Sequence, residues 1–211
     1  MACNGSKCCI IDKIRICPLP VLSTGIAWKT SHCALVCRNR MIVQRTNRLR
    51  LVAGTKVLAA AEVKDRVRFA KLLGALVPET WPPDNLRDVL GCFYGLYKDH
   101  PEWEGWLAWY AVRIDHDYPI LCGSIGFKGP PDKRGMVEIG YSVLPEFQRQ
   151  GLATEMVGGI VQWTKNLHEV RQIEAETNIS NGASIRVLEK NGFMRVGPGL
   201  EPNTIRFLYW S

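Results

Sequence analysis

Acidic residues are almost missing from the first fifty positions of this 211-residue chain. Nine Lys/Arg stand there against the single Asp12, whereas residues 51–211 carry eighteen against nineteen. The net charge of +7 therefore belongs to one segment, and whole-chain basicity gives no argument for nucleic-acid binding. The same segment lacks an uninterrupted apolar core, being broken by Lys13, Arg15, Pro18, Pro20 and Lys29. Neither a secretory signal nor a membrane span fits it. Cysteine is scarce after residue 40: Cys92 and Cys122 stand alone there, against Cys3, Cys8, Cys9, Cys17, Cys33 and Cys37 before. His32, Cys33 and Cys37 lack the second ligand pair of a structural zinc site, so no metal is expected. Internal repeats, low-complexity tracts and a basic face interleaved with aromatics are also lacking, so no nucleic-acid partner is expected.

What is present is ordinary for one globular core of this length. The split in charge and cysteine leads us to expect residues 1–45 to be a basic, Cys-rich N-terminal extension, disordered or non-native and dispensable, and residues 46–211 to be the working domain, with Met41 near its opening. With no export signal and only two scattered cysteines in the domain, a reducing cytoplasm is the expected compartment.

Alternation and periodicity read as α/β. Residues 49–52 predict a first strand. Val63, Val67, Ala70, Leu73 and Val77 recur at three and four residues, predicting one helix face that Pro78 and the pair Pro82–Pro83 end. A second helix is predicted from Asp84, as its cap, to Asp99. Strands are expected over residues 106–114, 120–127 and 136–144, with turns at 115–119 and 129–132. Leu152, Met156, Ile160, Trp163 and Leu167 predict a buried helix stripe, and residues 173–177 a further strand. Ser180 is expected to cap a short helix running to about Lys190 that Gly192 ends, before two closing strands at 193–196 and 205–210.

The chemistry gathers between the strand ending at Leu144 and the helix that follows. Gln148, Arg149, Gln150, Gly151, Leu152, Ala153 and Thr154 open that helix. A helix N-terminus offers backbone N–H groups without intrahelical partners and roughly half a positive charge, which suits a diphosphate. Gly151 lets the backbone approach such an anion closely, and small Ala153 keeps the first turn open.

Two neighbours give this pattern meaning. Glu138, Ile139, Gly140 and Tyr141 precede it, and Asn181, Ser184, Val187, Leu188, Gly192 and Phe193 follow about thirty residues on. In order and distance the chain resembles the GNAT N-acetyltransferase superfamily, and within it the branch of bacterial ribosomal-protein N-terminal (alanine/serine) acetyltransferases. The resemblance is firm over residues 120–197 and extends from about Thr46 to the end. It implies a mixed, mostly antiparallel sheet flanked by helices, the α/β (α+β) architecture that the element order also supports.

The resemblance implies attack of a primary amine on the thioester of acetyl-CoA. That reaction requires a neutral amine, stabilisation of an oxyanion and a proton for the departing thiolate. Glu138 is the expected base, since strand alternation puts it on one face with Gly140 and Ser142, opposite Val137, Ile139, Tyr141 and Val143. Family likeness implies that backbone groups near Ser142 and Val143 pair with the pantetheine arm and point one N–H at the thioester oxygen. It also implies that Asn181 and Ser184 contact the cofactor near its thiol. Many relatives carry a tyrosine seven residues after the asparagine as thiolate acid; this chain has Leu188, which leaves Ser184 or an ordered water. Gln148 and Arg149 add side-chain bonds to a diphosphate held chiefly by backbone amides. Trp81, Trp103, Trp106 and Trp109 either line an acceptor groove or fill the core.

The expected acceptor is a protein N-terminus or a small amine, worked on by a monomer or homodimer away from any membrane. An α-amine, with a reference pKa of about 8 against about 10.4 for lysine, needs the weaker base. A non-catalytic acyl-CoA-binding sensor on the same fold is the alternative that the missing tyrosine permits and that Glu138 argues against.

Overall fold

The computed structural model describes residues 41–210. The cysteines before residue 40, and the expectation of a dispensable leader there, lie outside the described residues.

Eight strands form one sheet in the order β1-β2-β3-β4-β5-β6-β8-β7. They are β1 (Val43–Arg45), β2 (Leu49–Ala53), β3 (Ala108–Arg113), β4 (Ile120–Phe127), β5 (Met136–Val143), β6 (Gln172–Asn178), β7 (Met194–Pro198) and β8 (Thr204–Trp210). Every neighbouring pair is antiparallel except β5 and β6, which run parallel. The expected mixed, mostly antiparallel α/β architecture is thus observed. The sheet begins at Val43, ahead of the expected domain start at residue 46. A three-residue edge strand is too short to leave an alternating signature.

Strand alternation sends successive side chains to opposite faces, and helices cover both. On one face α5 (Leu152–Thr164) and α6 (Gly182–Lys190) pack Leu152, Met156, Ile160 and Leu188 onto Trp109, Ile125, Ile139 and Ala175. On the other, α1 (Lys56–Lys64) and α2 (Arg66–Leu73) bury Leu58, Ala61, Phe69 and Leu73 against Val52, Tyr110, Val112 and Leu121. Each such large apolar side chain contributes about 1.5–3 kcal/mol on burial.

Four sequence expectations change here. Val63 and Val67 are exposed instead of forming a continuous buried face. Asp65 is the reason: its N–H closes α1 on the carbonyl of Ala61, while its carboxylate accepts from Arg68 N at 2.9 Å and opens α2, resetting the helical phase. The helix expected from Asp84 to Asp99 is two, α3 (Asp84–Arg87) and α4 (Leu90–Asp99), with Pro83 at the cap position and Asp84 inside the first turn. The chain bends at Asp88–Val89, which buries Val89 and turns α4 so that Tyr97 enters the core. Leu167 falls beyond the end of α5. Asn181, not Ser180, caps α6: its Oδ1 accepts from Ser184 N at 3.1 Å, while the Ser180 hydroxyl donates to Asn178 Oδ1 at 2.6 Å. Among the described residues no helix is long and apolar enough to cross a membrane.

Candidate active site

The parallel pair β5–β6 is the place where the sheet opens. Its register runs from Met136↔Gln172 to Ile139↔Ala175 and stops, although β5 continues to Val143 and β6 to Asn178. Beyond Ile139 the inner edge of β5 is left to another partner. Backbone groups alternate along a strand. Glu138 O and Leu144 N bond toward β4, accepting from Lys128 N and donating to Cys122 O respectively. Gly140 and Ser142 share that direction, so the groups facing the opened edge are those of Tyr141 and Val143. For Ser142 this corrects the expectation: its backbone serves the β4 ladder. Val143 O already accepts from Gln148 Nε2 at 2.9 Å, which leaves the Val143 N–H and both Tyr141 groups at the edge.

The chain leaving β5 passes through a 3-10 turn (Pro145–Phe147) and enters α5 by two left-handed residues, Arg149 at φ 59° and Gly151 at φ 80°. Gly151 occupies the cap position, and among the described residues no side chain satisfies the amides of the first turn. Those donors and the dipole remain free for an anion. A non-glycine residue at positive φ costs free energy and is held in place by its surroundings. The bracing is visible at Gln150, whose Oε1 accepts from Arg113 Nη1 at 2.7 Å, whose Nε2 donates to Glu146 O at 3.0 Å and whose carbonyl accepts from Arg48 Nη1 at 3.0 Å.

The expected anion-binding residues thus divide. Gln148 and Gln150 spend their side chains on the loop itself. Leu152 is buried in the core and offers only its N–H. Thr154 O accepts from Asn191 Nδ2 at 3.1 Å. Arg149 is exposed and its guanidinium holds no hydrogen bond or ion pair among the described residues.

Glu155, one residue past the cradle, has a role that sequence reasoning missed. It accepts from Thr46 Oγ1 at 2.6 Å, Arg48 N at 2.7 Å and Arg48 Nε at 2.7 Å. Burial works to raise its carboxyl, yet these bonds and the Arg48 charge hold it below the usual carboxylate range. It ties the chain before β2 to the first turn of α5.

A cavity of about 280 Å³ leads from the opened edge across the sheet. Tyr141, Asn181, Ser184 and Leu188 line one end, and Glu62, Trp81, Phe93 and Tyr110 the other. At the first end the Tyr141 hydroxyl lies 2.8 Å from Ser184 Oγ and donates to Ser184 O at 3.2 Å, linking β5 to α6. Burial raises the Tyr141 phenol, against the lowering effect of the Ser184 bond. Leu188, where many relatives have tyrosine, is fully buried in the core.

Cross-strand register gives the cavity its floor. Ala108, Gly126 and Gly140 stand in one row, and a Cβ built on Gly140 would meet nothing within 4 Å. Tyr110, Ser124 and Ser142 form the next row on one side. On the other side, Lys128, Glu138 and Glu174 follow, with Glu138 paired to Glu174 in the register. Glu138 shares the face expected for it, but its carboxylate is ion-paired with Lys128, and Lys128 rather than Glu138 lines the cavity.

Glu62 is the carboxylate that sequence reasoning did not single out. Its Oε1 accepts from Trp81 Nε1 at 2.9 Å and its Oε2 from the Tyr110 hydroxyl at 2.6 Å. Burial pushes its carboxyl up to about 6, opposed by those two bonds. Of the four tryptophans considered for an acceptor groove, only Trp81 lines the cavity. Trp109 packs at 4.8 Å on Trp163, Trp106 at 5.4 Å on Phe127, and Trp103 stacks on His100 at 4.1 Å.

Comparison with known proteins agrees with this geometry. The acetyltransferase (GNAT) domain family matches residues 53–194. The uncharacterised N-acetyltransferase YjdG of Bacillus subtilis (strain 168) is 30% identical over 154 residues, covering 73% of this chain and 90% of that protein. Two solved structures share the fold. The ribosomal L7/L12 alpha-N-protein acetyltransferase RimL in complex with coenzyme A aligns at TM-score 0.54 and 16% identity, over 80% of this chain and 98% of that one. The ribosomal-protein-S5-alanine acetyltransferase of Vibrio fischeri aligns at TM-score 0.53 and 17% identity, over 80% and 96%. An opened parallel strand pair beside an uncapped helix N-terminus, within a sequence matched by that family over most of its sheet, makes this chain a member of the GNAT acetyltransferases.

Proposed function

We propose that this acetyltransferase moves the acetyl group of acetyl-CoA to a primary amine, either a protein N-terminus or a small amine. The observation that carries the reading is the coincidence of two unsatisfied backbone features. The edge of β5 left by β6 after Ile139 leads directly to the uncapped first turn of α5. A ligand that joins an extended amide-bearing arm to a diphosphate satisfies both. The backbone amides of residues 150–154 would hold the diphosphate, with Arg149 free to add its charge. The Tyr141 and Val143 groups would take the arm, and the Val143 N–H would be the donor to the oxyanion.

Ser184 is the proposed source of the thiolate's proton, with Asn181 setting its place through the helix cap. The Tyr141 hydroxyl, hydrogen-bonded to Ser184, supplies the phenol that position 188 lacks. For the amine proton, the strand position nominates Glu138. Its carboxylate is ion-paired with Lys128, so Glu138 enters the proposal as one half of that pair. The names of RimL and of the S5-alanine enzyme support a protein N-terminus as acceptor class. The test is thiol release from acetyl-CoA against a panel of peptides, simple amines and amine-bearing antibiotics. Release with at least one primary amine is expected; none across the panel, from protein that binds CoA, would remove the proposal.

A further inference from the structure

The far end of the cavity holds a carboxylate without a cation. Both oxygens of Glu62 are bonded, yet only to neutral donors, the indole N–H of Trp81 and the phenol of Tyr110. Among the described residues no lysine, arginine or histidine forms an ion pair with it. The other charged groups in the wall are engaged: Lys128 with Glu138, and Glu176 with Leu200 N, Glu201 N and Thr204 Oγ1. Around Glu62 the lining is apolar, from Leu86, Val89 and Phe93 to Leu96 and Leu107.

A half-buried carboxylate in such surroundings is satisfied best by a charged partner brought from outside. The sheet register also places it for chemistry. Tyr110, which holds Glu62, is cross-strand from Ser124 and so in the row of Ser142, two strands or about 10 Å from it and next to the glycine row of the floor. Glu138 lies four residues from Ser142 along the same strand, about 13 Å at the strand rise per residue.

We propose that Glu62 receives the ammonium of the acceptor and accepts its proton, and that the acceptor is an amine with one positive charge beside an apolar group. This deepens the transferase reading and rests on it. The ammonium gives one proton to Glu62, and its freed lone pair attacks the acetyl carbon. The carbon–sulfur bond breaks, and the surplus proton of the new nitrogen centre passes to the thiolate by way of Ser184. Glu62 then returns its proton to water. One unneutralised carboxylate in an apolar wall accommodates one charge; a polyamine or an aminoglycoside would bury further charges without partners.

The titratable groups facing Glu62 are the phenols of Tyr110 and Tyr97, both raised by burial, so the carboxyl itself is the group that titrates near pH 6. Activity should therefore rise with pH through about 6, and Glu62→Gln should remove that rise.

The experiment has a binding arm and a rate arm, both on the full chain. With the protein saturated in CoA, calorimetry compares 3-methylbutylamine with 3-methylbutanol. At least tenfold tighter binding of the amine is expected, lost in Glu62→Gln at unchanged CoA affinity. With acetyl-CoA, turnover of leucine amide should fall about 100-fold or more in Glu62→Gln. Leucine amide against a tetrapeptide beginning with leucine separates a free small amine from a protein N-terminus. Equal binding of amine and alcohol by the unaltered protein would overturn the proposal without reliance on any variant. Preference for spermidine, or unaltered turnover in Glu62→Gln, would overturn it too. A Glu62-dependent amine preference with no thiol release would keep Glu62 as an ammonium site and sink the transfer reading.

Discussion

The two ends of the cavity are built from different materials. The end at the opened edge of β5 presents backbone: the Tyr141 and Val143 groups, and the first-turn amides of α5 reached through Arg149 and Gly151 in left-handed conformation. The Glu62 end works through side chains from three separate elements, Glu62 on α1, Trp81 in the loop after α2, and Tyr110 on β3. Backbone recognition demands only glycine and small residues at fixed spacing and therefore leaves a short motif. Side-chain recognition demands particular groups at positions far apart in sequence, and these can change from one relative to another without touching the motif. The difference teaches that the donor of the acetyl group is legible in such a chain long before its acceptor is.

The comparison breaks most readily at Gly151. Gly151→Asp places a side chain at φ 80° and a negative charge among the amides, and a Cβ there stands 3.4 Å from Arg48 Nη2. CoA affinity is expected to fall by about two orders of magnitude in protein that still folds, as each unmade charge-assisted bond costs about 1.5–3 kcal/mol. Calorimetry checks it, and undiminished affinity would move the diphosphate elsewhere.

Ser184→Ala should slow acetyl transfer about tenfold to a hundredfold with CoA binding retained, and Tyr141→Phe should slow it less. If Tyr141→Phe proves the more damaging of the two, the phenol rather than the serine hydroxyl is the proton source. Stopped-flow measurement of thiol release at saturating acetyl-CoA decides between them.

Glu155→Gln is expected to cost about 2 kcal/mol of stability, through lost charge-assisted bonds to Thr46 and Arg48. The sign with pH follows from the lowered carboxyl. Its contribution is present above the ordinary glutamate value of about 4.5 and disappears as pH falls through the lower folded-state value. Thermal melts of the two proteins should therefore differ at pH 7 and converge in acid.

Glu138→Gln should have the smallest effect, under about tenfold in turnover, because Lys128 already neutralises that carboxylate. A loss of 10²–10⁴-fold, typical of a lone general base, would restore Glu138 to that role and break the assignment of proton transfer to the Glu62 end.

Legibility followed the range of the interaction responsible. The start of α5 and the strand before it could be read because a glycine, a small residue and an alternating run lie within twenty positions. The break at Asp65 could not, since an aspartate on an exposed face and one that caps look alike until the neighbouring amide is placed. The cap of α6 moved from Ser180 to Asn181 for a similar reason: two polar residues compete, and the Asn181 amide oxygen takes the Ser184 N–H while the Ser180 hydroxyl turns to Asn178. Alternation puts Tyr141 on the face opposite Glu138, and the structure agrees, yet its hydroxyl ends at Ser184, forty-three positions away.

By itself the sequence determined the order of most strands and helices, the glycine-led start of α5 and the family. These depend on local periodicity, on glycine's freedom at positive φ and on the dipole of a single helix, all carried by neighbours in the chain. Only the tertiary structure decided which backbone edge stays open, which carboxylate meets the cavity without a cation, and which is spent on a lysine. Glu62 and Tyr110 are forty-eight positions apart, and Lys128 and Glu138 are paired by strand register. Charge in a cavity depends on what folding brings alongside it, and a carboxylate written in a sequence does not say whether its partner will be a cation or a neutral donor.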